Sequence, residues 1–120
     1  MPGDIERLSE RLREFAIARD WEQFQSPKNL SMALIVEAAE LVEHFQWLTE
    51  AQSLDLRNQP GSEKHQAIAL EMADILAYLL RIADRLNVNL VTALEEKIAI
   101  NEQRYPADKV RGSARKYNEY

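Results

Sequence analysis

Apolar residues recur along this chain at intervals of three and four, the period of a helix face, and no segment carries the alternation of a strand. Asp4 stands where an N-cap belongs, ahead of Ile5, Leu8, Leu12, Phe15 and Ala16, while the opposite face is charged; the pattern predicts a first amphipathic helix. It breaks around Trp21, Glu22, Gln23 and Phe24, and Ser26-Pro27 closes it. A second helix is predicted from Asn29 as N-cap to about Leu48, on a stripe of Leu30, Leu34, Ala38, Leu41, Phe45 and Leu48. Residues 49–61 read as a polar connection with one helical turn near 51–56. Ser62 opens a third helix that runs to about Leu86. Asn89 or Asn87 caps a fourth, through Leu90, Leu94, Ile98 and Asn101, stopped at Tyr105-Pro106. The predicted fold is all-α, a four-helix bundle over residues 1–106 with a polar, partly basic tail over 107–120.

Between Ala67 and Ala83 the only strongly polar residues are Glu71, Asp74 and Arg81, so the third helix is apolar nearly all round. A bundle this small has too few helices to cover it, and assembly of identical chains is expected to supply the rest. The 120 residues allow one domain, and 46% hydrophobic against 29% charged residues is the balance of a globular chain rather than a disordered one. There is no cysteine, which removes disulfides, thiolate metal sites and cysteine nucleophiles. The charged N-terminal stretch has no signal-peptide core, and no apolar run reaches the ~18 residues of a membrane span, so a cytoplasmic protein without a membrane partner is expected. A net charge of −5 argues against a partner that is a nucleic-acid polymer.

That acidity acquires a purpose at two pairs, Glu37-x-x-Glu40 and Glu71-x-x-Asp74, each placing two carboxylates about one turn apart on one side of a helix. The plain alternative is a pair of solvated faces. Two features weigh against it: the third helix has almost no other polar residue with which to build such a face, and Asp is a weak helix former in mid-helix. Carboxylates among apolar helices are tolerable when a cation lies between them, and an all-oxygen donor set suits Mg²⁺, with Mn²⁺ as a substitute, rather than zinc. A di-iron carboxylate bundle would need Glu-x-x-His repeats, and Leu41 and Ser62 precede the two histidines, His44 and His65, at that spacing.

The string from Glu37 through Glu40, Phe45 and Trp47, followed by Glu71, Asp74 and Tyr78, resembles the MazG-like all-α nucleoside triphosphate pyrophosphohydrolases. Arg19-Asp20-Trp21-Glu22-Gln23-Phe24, Lys97-x-x-x-Asn101-x-x-Arg104-Tyr105-Pro106 and Arg111-Gly112-Ser113-x-Arg115-Lys116-Tyr117 resemble, within that family, the dCTP pyrophosphatases. The resemblance implies a hydrolase that cleaves a (deoxy)nucleoside triphosphate, dCTP or a modified dCTP, to the monophosphate and pyrophosphate in nucleotide-pool sanitation, as a homotetramer built from dimers. It implies Glu37, Glu40, Glu71 and Asp74 as Mg²⁺ ligands, with Glu37 or Glu40 orienting or deprotonating water.

It also implies that Trp21, Glu22, Gln23, Phe24, Gln25, Trp47 and Tyr78 contact the nucleotide. Lys97, Asn101 and Arg104, four and three residues apart, share a helix face suited to phosphates. The basic residues Lys109, Arg111, Arg115 and Lys116 could fold over the triphosphate as a lid or simply form a terminus. The sequence departs from the animal dCTP pyrophosphatases at Leu12, where those proteins carry a substrate-contacting histidine, and at Ala99, where an acid is common. Leu12 opens the alternative of a broader or dUTP-directed enzyme on the same scaffold. From another class, a non-catalytic helical dimerisation module would use the same helices without turnover.

Overall fold

The computed structural model describes residues 3–114, and every regular element among them is helical. In chain order these are α1 (Asp4–Ala18), a 3₁₀ turn (Glu22–Phe24), α2 (Pro27–Glu43), α3 (Glu50–Asp55), a second 3₁₀ turn (Leu56–Asn58), α4 (Glu63–Leu86), α5 (Leu90–Arg104) and the short α6 (Ala107–Val110). The all-α expectation holds. The chain divides into two compact units, Met1–Asn87 and Val88–Tyr120. Three of the four expected long helices, α1, α2 and α4, belong to the first unit, and the fourth, α5, belongs to the second. Arg115, Lys116 and Tyr117, read above as part of a basic motif, lie outside the described residues.

In the first unit α4 is the spine: α2 packs along it as the principal interface and α1 lies on it as well. Leu30 of α2 and Ile68, Leu80 and Ala83 of α4 are buried, with Ala16 of α1. Of these, Leu30, Ile68 and Leu80 each contribute roughly 1.5–3 kcal/mol. An ion-pair clamp joins α1 to α4: Arg13 donates from Nη2 to Asp84 Oδ1 at 2.8 Å and from Nε to Oδ2 at 3.1 Å.

Several boundaries correct the sequence reading, each for a local reason. Gly3, not Asp4, stands at the N-cap of α1, and Asp4 is its first residue, well placed for the helix dipole. Ser26-Pro27 begins a helix instead of merely ending one. Ser26 Oγ accepts from the Asn29 backbone N–H at 3.1 Å, and proline at the first helical position gives up no needed donor. Asn29, expected as the cap, instead donates from Nδ2 to the Phe24 carbonyl at 3.1 Å, tying the preceding 3₁₀ turn to the start of α2.

The far end of α2 also differs: it stops at Glu43, and residues 44–47 form turns closed by bonds such as Phe45 N–H to Val42 O at 2.9 Å. Phe45 then meets Leu56, Ile68 and Met72 around a small cavity. α3 follows from a reciprocal capping box between Thr49 and Gln52. At the end of α4, Asn87 takes the left-handed conformation (φ 56°) that closes a helix, and Asn89 caps α5 by accepting from the Thr92 N–H at 3.0 Å.

α4 does not simply bury its apolar residues and expose its polar ones. Arg81 is buried and Glu71 and Tyr78 are half-buried, while Met72, Leu76 and Leu79 stay partly exposed, Met72 beside the cavity at Phe45 and Leu76 beside α1. The sequence reading expected this helix to be covered on most sides, and within one chain it is not. No helix among the described residues is long and apolar enough to cross a membrane.

Candidate active site

The site is built where α2 and α4 bring their acids together. Glu37 comes from the middle of α2; Glu71 and Asp74, one turn apart, come from α4. One carboxylate oxygen from each lies within 4.8 Å of the others. Glu71 Oε1 is buried with no hydrogen-bond partner. The Glu37 carboxyl is held above its ordinary value, first because it shares a hydrogen bond with Glu71, with desolvation and the charges of Glu71 and Asp74 adding to the effect; Glu40 pulls the other way.

The orphaned oxygen and the shared hydrogen bond describe one problem. Two ionised carboxylates have no donor between them, so a proton or a cation must intervene. The donor set is all oxygen, one member is desolvated, and nothing positive among the described residues reaches Glu71 Oε1. A hard divalent cation fits these residues. Glu40 is exposed and lies outside the three-oxygen cluster, beside Glu37.

A cavity of about 220 Å³ opens beside the cluster, lined by Leu12 and Phe15 of α1, Trp21, Gln25, Glu37, and Asp74, Ala77, Tyr78 and Arg81 of α4. Trp21 is fixed by its N–H to the Ala16 carbonyl at 2.9 Å and stands edge-on to Phe15, ring centroids 5.7 Å apart. Phe15 is in turn capped by the Arg19 guanidinium 3.5 Å from its ring centroid. A larger space of about 360 Å³ between α1 and α4 has no carboxylate and is lined by Leu8, Phe15, Leu76 and Leu80 among others. Size does not locate the chemistry; the acids do.

Of the segment read as substrate-contacting, Trp21 and Gln25 line the cavity. Glu22 instead pairs with Arg81 at 3.4 Å and Arg85 at 3.7 Å, and Gln23 binds the Asp20 carbonyl and carboxylate at 3.0 Å each. Phe24 is exposed and does not line the cavity; nor does Trp47, which follows α2 at 86% exposure. Lys97, Asn101 and Arg104 stand on α5, in the second unit.

The sequence reading overlooked Arg81. Its side chain is only 4% exposed, and all three guanidinium nitrogens are engaged: Nε to Gln25 Oε1 at 3.0 Å, Nη1 to Asp84 Oδ2 at 2.7 Å and Nη2 to Glu22 Oε1 at 3.4 Å. The signal was present, because Asp74, Tyr78 and Arg81 are spaced four and three apart on one helix face.

This chain has counterparts among known proteins. The model for the MazG-like family matches residues 32–120. The chain belongs to the MazG-like family. It is 43% identical to human dCTP pyrophosphatase 1 over 97% of its own length and 44% identical to the rat protein of that name, also over 97%. It spans 65% of the length of each of these two relatives. Among solved structures it is similar to a pyrophosphatase from Archaeoglobus fulgidus DSM 4304, with a TM-score of 0.79, 33% identity and coverage of 88% of this chain and 95% of that one.

Proposed function

We propose that this protein hydrolyses a (deoxy)nucleoside triphosphate, with dCTP or a modified dCTP preferred, to the monophosphate and pyrophosphate, in a Mg²⁺-dependent reaction that clears nucleotides from the cytoplasmic pool. The observation that carries the reading is the buried, donor-less Glu71 oxygen within a three-carboxylate cluster whose other members, Glu37 and Asp74, line a cavity with Trp21 and Tyr78. Glu37, Glu71 and Asp74 would hold the ion, with Glu40 as a further ligand. Bound there, Mg²⁺ (or Mn²⁺) supplies neutralisation of the phosphate charge and a more acidic water.

The remaining roles belong to side chains. Glu37 is suited to accept the proton of the attacking water, and Glu40 is the second candidate. The water oxygen bonds to a phosphorus of the α–β bridge, that bridge breaks, and pyrophosphate and the monophosphate depart. Trp21 and Tyr78 offer faces to the base. The family resemblance assigns Trp47 to the nucleotide and Lys97, Asn101 and Arg104 to the phosphates. Assembly into a homo-oligomer, a tetramer built from dimers in that resemblance, is supported by the exposed Met72, Leu76 and Leu79 and by a core of only five buried apolar residues among those described.

The test incubates the protein with each dNTP and Mg²⁺ and resolves the products. Release of orthophosphate in place of pyrophosphate would place the attack at another phosphorus and refute the reading. One observation favours a second, broader or dUTP-directed specificity: Leu12, where animal relatives carry a histidine, lines the cavity. Comparing kcat/KM across the same panel separates the two.

A further inference from the structure

The Arg81 guanidinium offers only donors, so the Gln25 amide can meet it through Oε1 and not through Nε2. That contact, 3.0 Å to Arg81 Nε, removes the usual freedom of a glutamine to turn its amide over. Arg81 cannot itself swing to relax the choice. It is buried, and its other two nitrogens are held by Asp84 and Glu22. Asp84 is fixed in turn by the two-point grip of Arg13. Gln25 lines the cavity, and its Nε2 meets no acceptor among the described residues. The end of the amide left for a ligand is therefore a donor.

Resting on the nucleotide reading above, we propose that Arg81 is a positioning residue that locks the Gln25 amide so that Nε2 donates to a ring acceptor of the bound base, making Gln25 a determinant of cytosine over uracil. Cytosine presents a bare N3 beside its O2; uracil presents an N3–H. A locked donor matches the first and opposes the second. Setting donor against donor in a partly desolvated site leaves both unsatisfied, which corresponds to a discrimination of roughly ten- to a hundredfold. All three Arg81 nitrogens are held, by Gln25, Asp84 and Glu22, so its contribution here is direction.

The decisive variant is Gln25→Glu. A carboxylate keeps the contact with Arg81 and preserves shape, yet offers the cavity acceptors in place of the donor. The wild type is expected to favour dCTP over dUTP by about tenfold or more in kcat/KM. Gln25→Glu should bring that ratio below one, through a rise in KM for dCTP with kcat little changed. Arg81→Met, which frees the amide to turn, should bring the ratio toward one; should that variant fail to fold, Gln25→Glu decides alone. An unchanged ratio in Gln25→Glu, or an equal loss on both substrates, overturns the assignment. A wild type that hydrolyses triphosphates without favouring dCTP overturns it too while leaving the pyrophosphohydrolase reading intact. A wild type that hydrolyses none removes both.

Discussion

Replacing Arg81 by Met tests how much of the first unit is held by charge rather than by oil. Methionine keeps the unbranched stem and most of the buried volume, so the change isolates the guanidinium. Three contacts disappear: 2.7 Å to Asp84, 3.0 Å to Gln25 and 3.4 Å to Glu22. Breaking a fully buried ion pair usually costs about 3–5 kcal/mol, because the surviving charge is left without a partner. Here neither acid is abandoned: Asp84 keeps Arg13 at 2.8 Å, and Glu22 keeps Arg85 at 3.7 Å.

The penalty therefore lies below that range, at about 2–3 kcal/mol, dominated by the short bond to Asp84 and the stranded Gln25 oxygen. For a chain of this length that lowers Tm by roughly 8–12 °C. Urea unfolding followed by circular dichroism, at one fixed protein concentration, measures it. A cycle with Asp84→Asn should return a coupling of about 1–2 kcal/mol between the two positions. A loss below about 0.5 kcal/mol would show that the network is ornamental and that apolar packing alone holds α4 in place.

Asp84 makes the same network sensitive to acid. The Arg13 hydrogen bond, opposed by desolvation and helped by the charges of Arg13 and Arg81, holds its carboxyl below the ordinary value of 3.8. The stabilisation is complete above that value and is lost as pH falls through the lower, folded one, so Tm should drop steeply below about pH 4. Asp84→Asn should be less stable at neutral pH and show a flatter acid limb. Glu71→Gln should abolish the thermal shift produced by Mg²⁺, which in the wild type approaches about 2.7 kcal/mol at a hundredfold excess over Kd; an undiminished shift would exclude Glu71 as a ligand. Glu40→Gln and Asp74→Asn should each eliminate turnover with helical content intact, and a variant that still turns over removes that carboxylate from the reaction. Trp47→Ala should change the stability of the chain by no more than about 0.5 kcal/mol while weakening nucleotide binding, measured by titration, by about 1–3 kcal/mol.

The helices were legible because their faces repeat at the right period and two of their caps are ordinary ones: Ser62 and Asn89 do what their side chains suggest. What could not be read was decided by contacts remote in sequence. The stripe of α2 continues through Phe45 and Leu48, yet the helix ends at Glu43, and Phe45 beyond it lines a cavity with Leu56, Ile68 and Met72. Ser26-Pro27 carried two meanings, stop and start, and the cap bond to Asn29 chose between them. The convergence of Glu37 with Glu71 and Asp74 was legible as a pattern of pairs, though not that Glu40 would stand outside the tight cluster. Arg81 was hidden by its isolation. A lone cation in an apolar run gives no sign of the acids and amide that meet it from Glu22 and Gln25, more than fifty residues earlier.

Apolar burial alone does not account for what α4 covers. Met72, Leu76 and Leu79 stay partly exposed while Arg81 is buried and Glu71 half-buried, an arrangement that costs stability in a chain that had only stability to satisfy. The groups that hold it are charged: Arg13 gripping Asp84 from α1, and Arg81 reaching Glu22 and Gln25 beyond α1. A ligand that neutralises the acids stabilises this arrangement, and so does any surface that covers Met72, Leu76 and Leu79. On the proposed function, cation binding and self-association therefore reinforce each other through the orientation of a single helix.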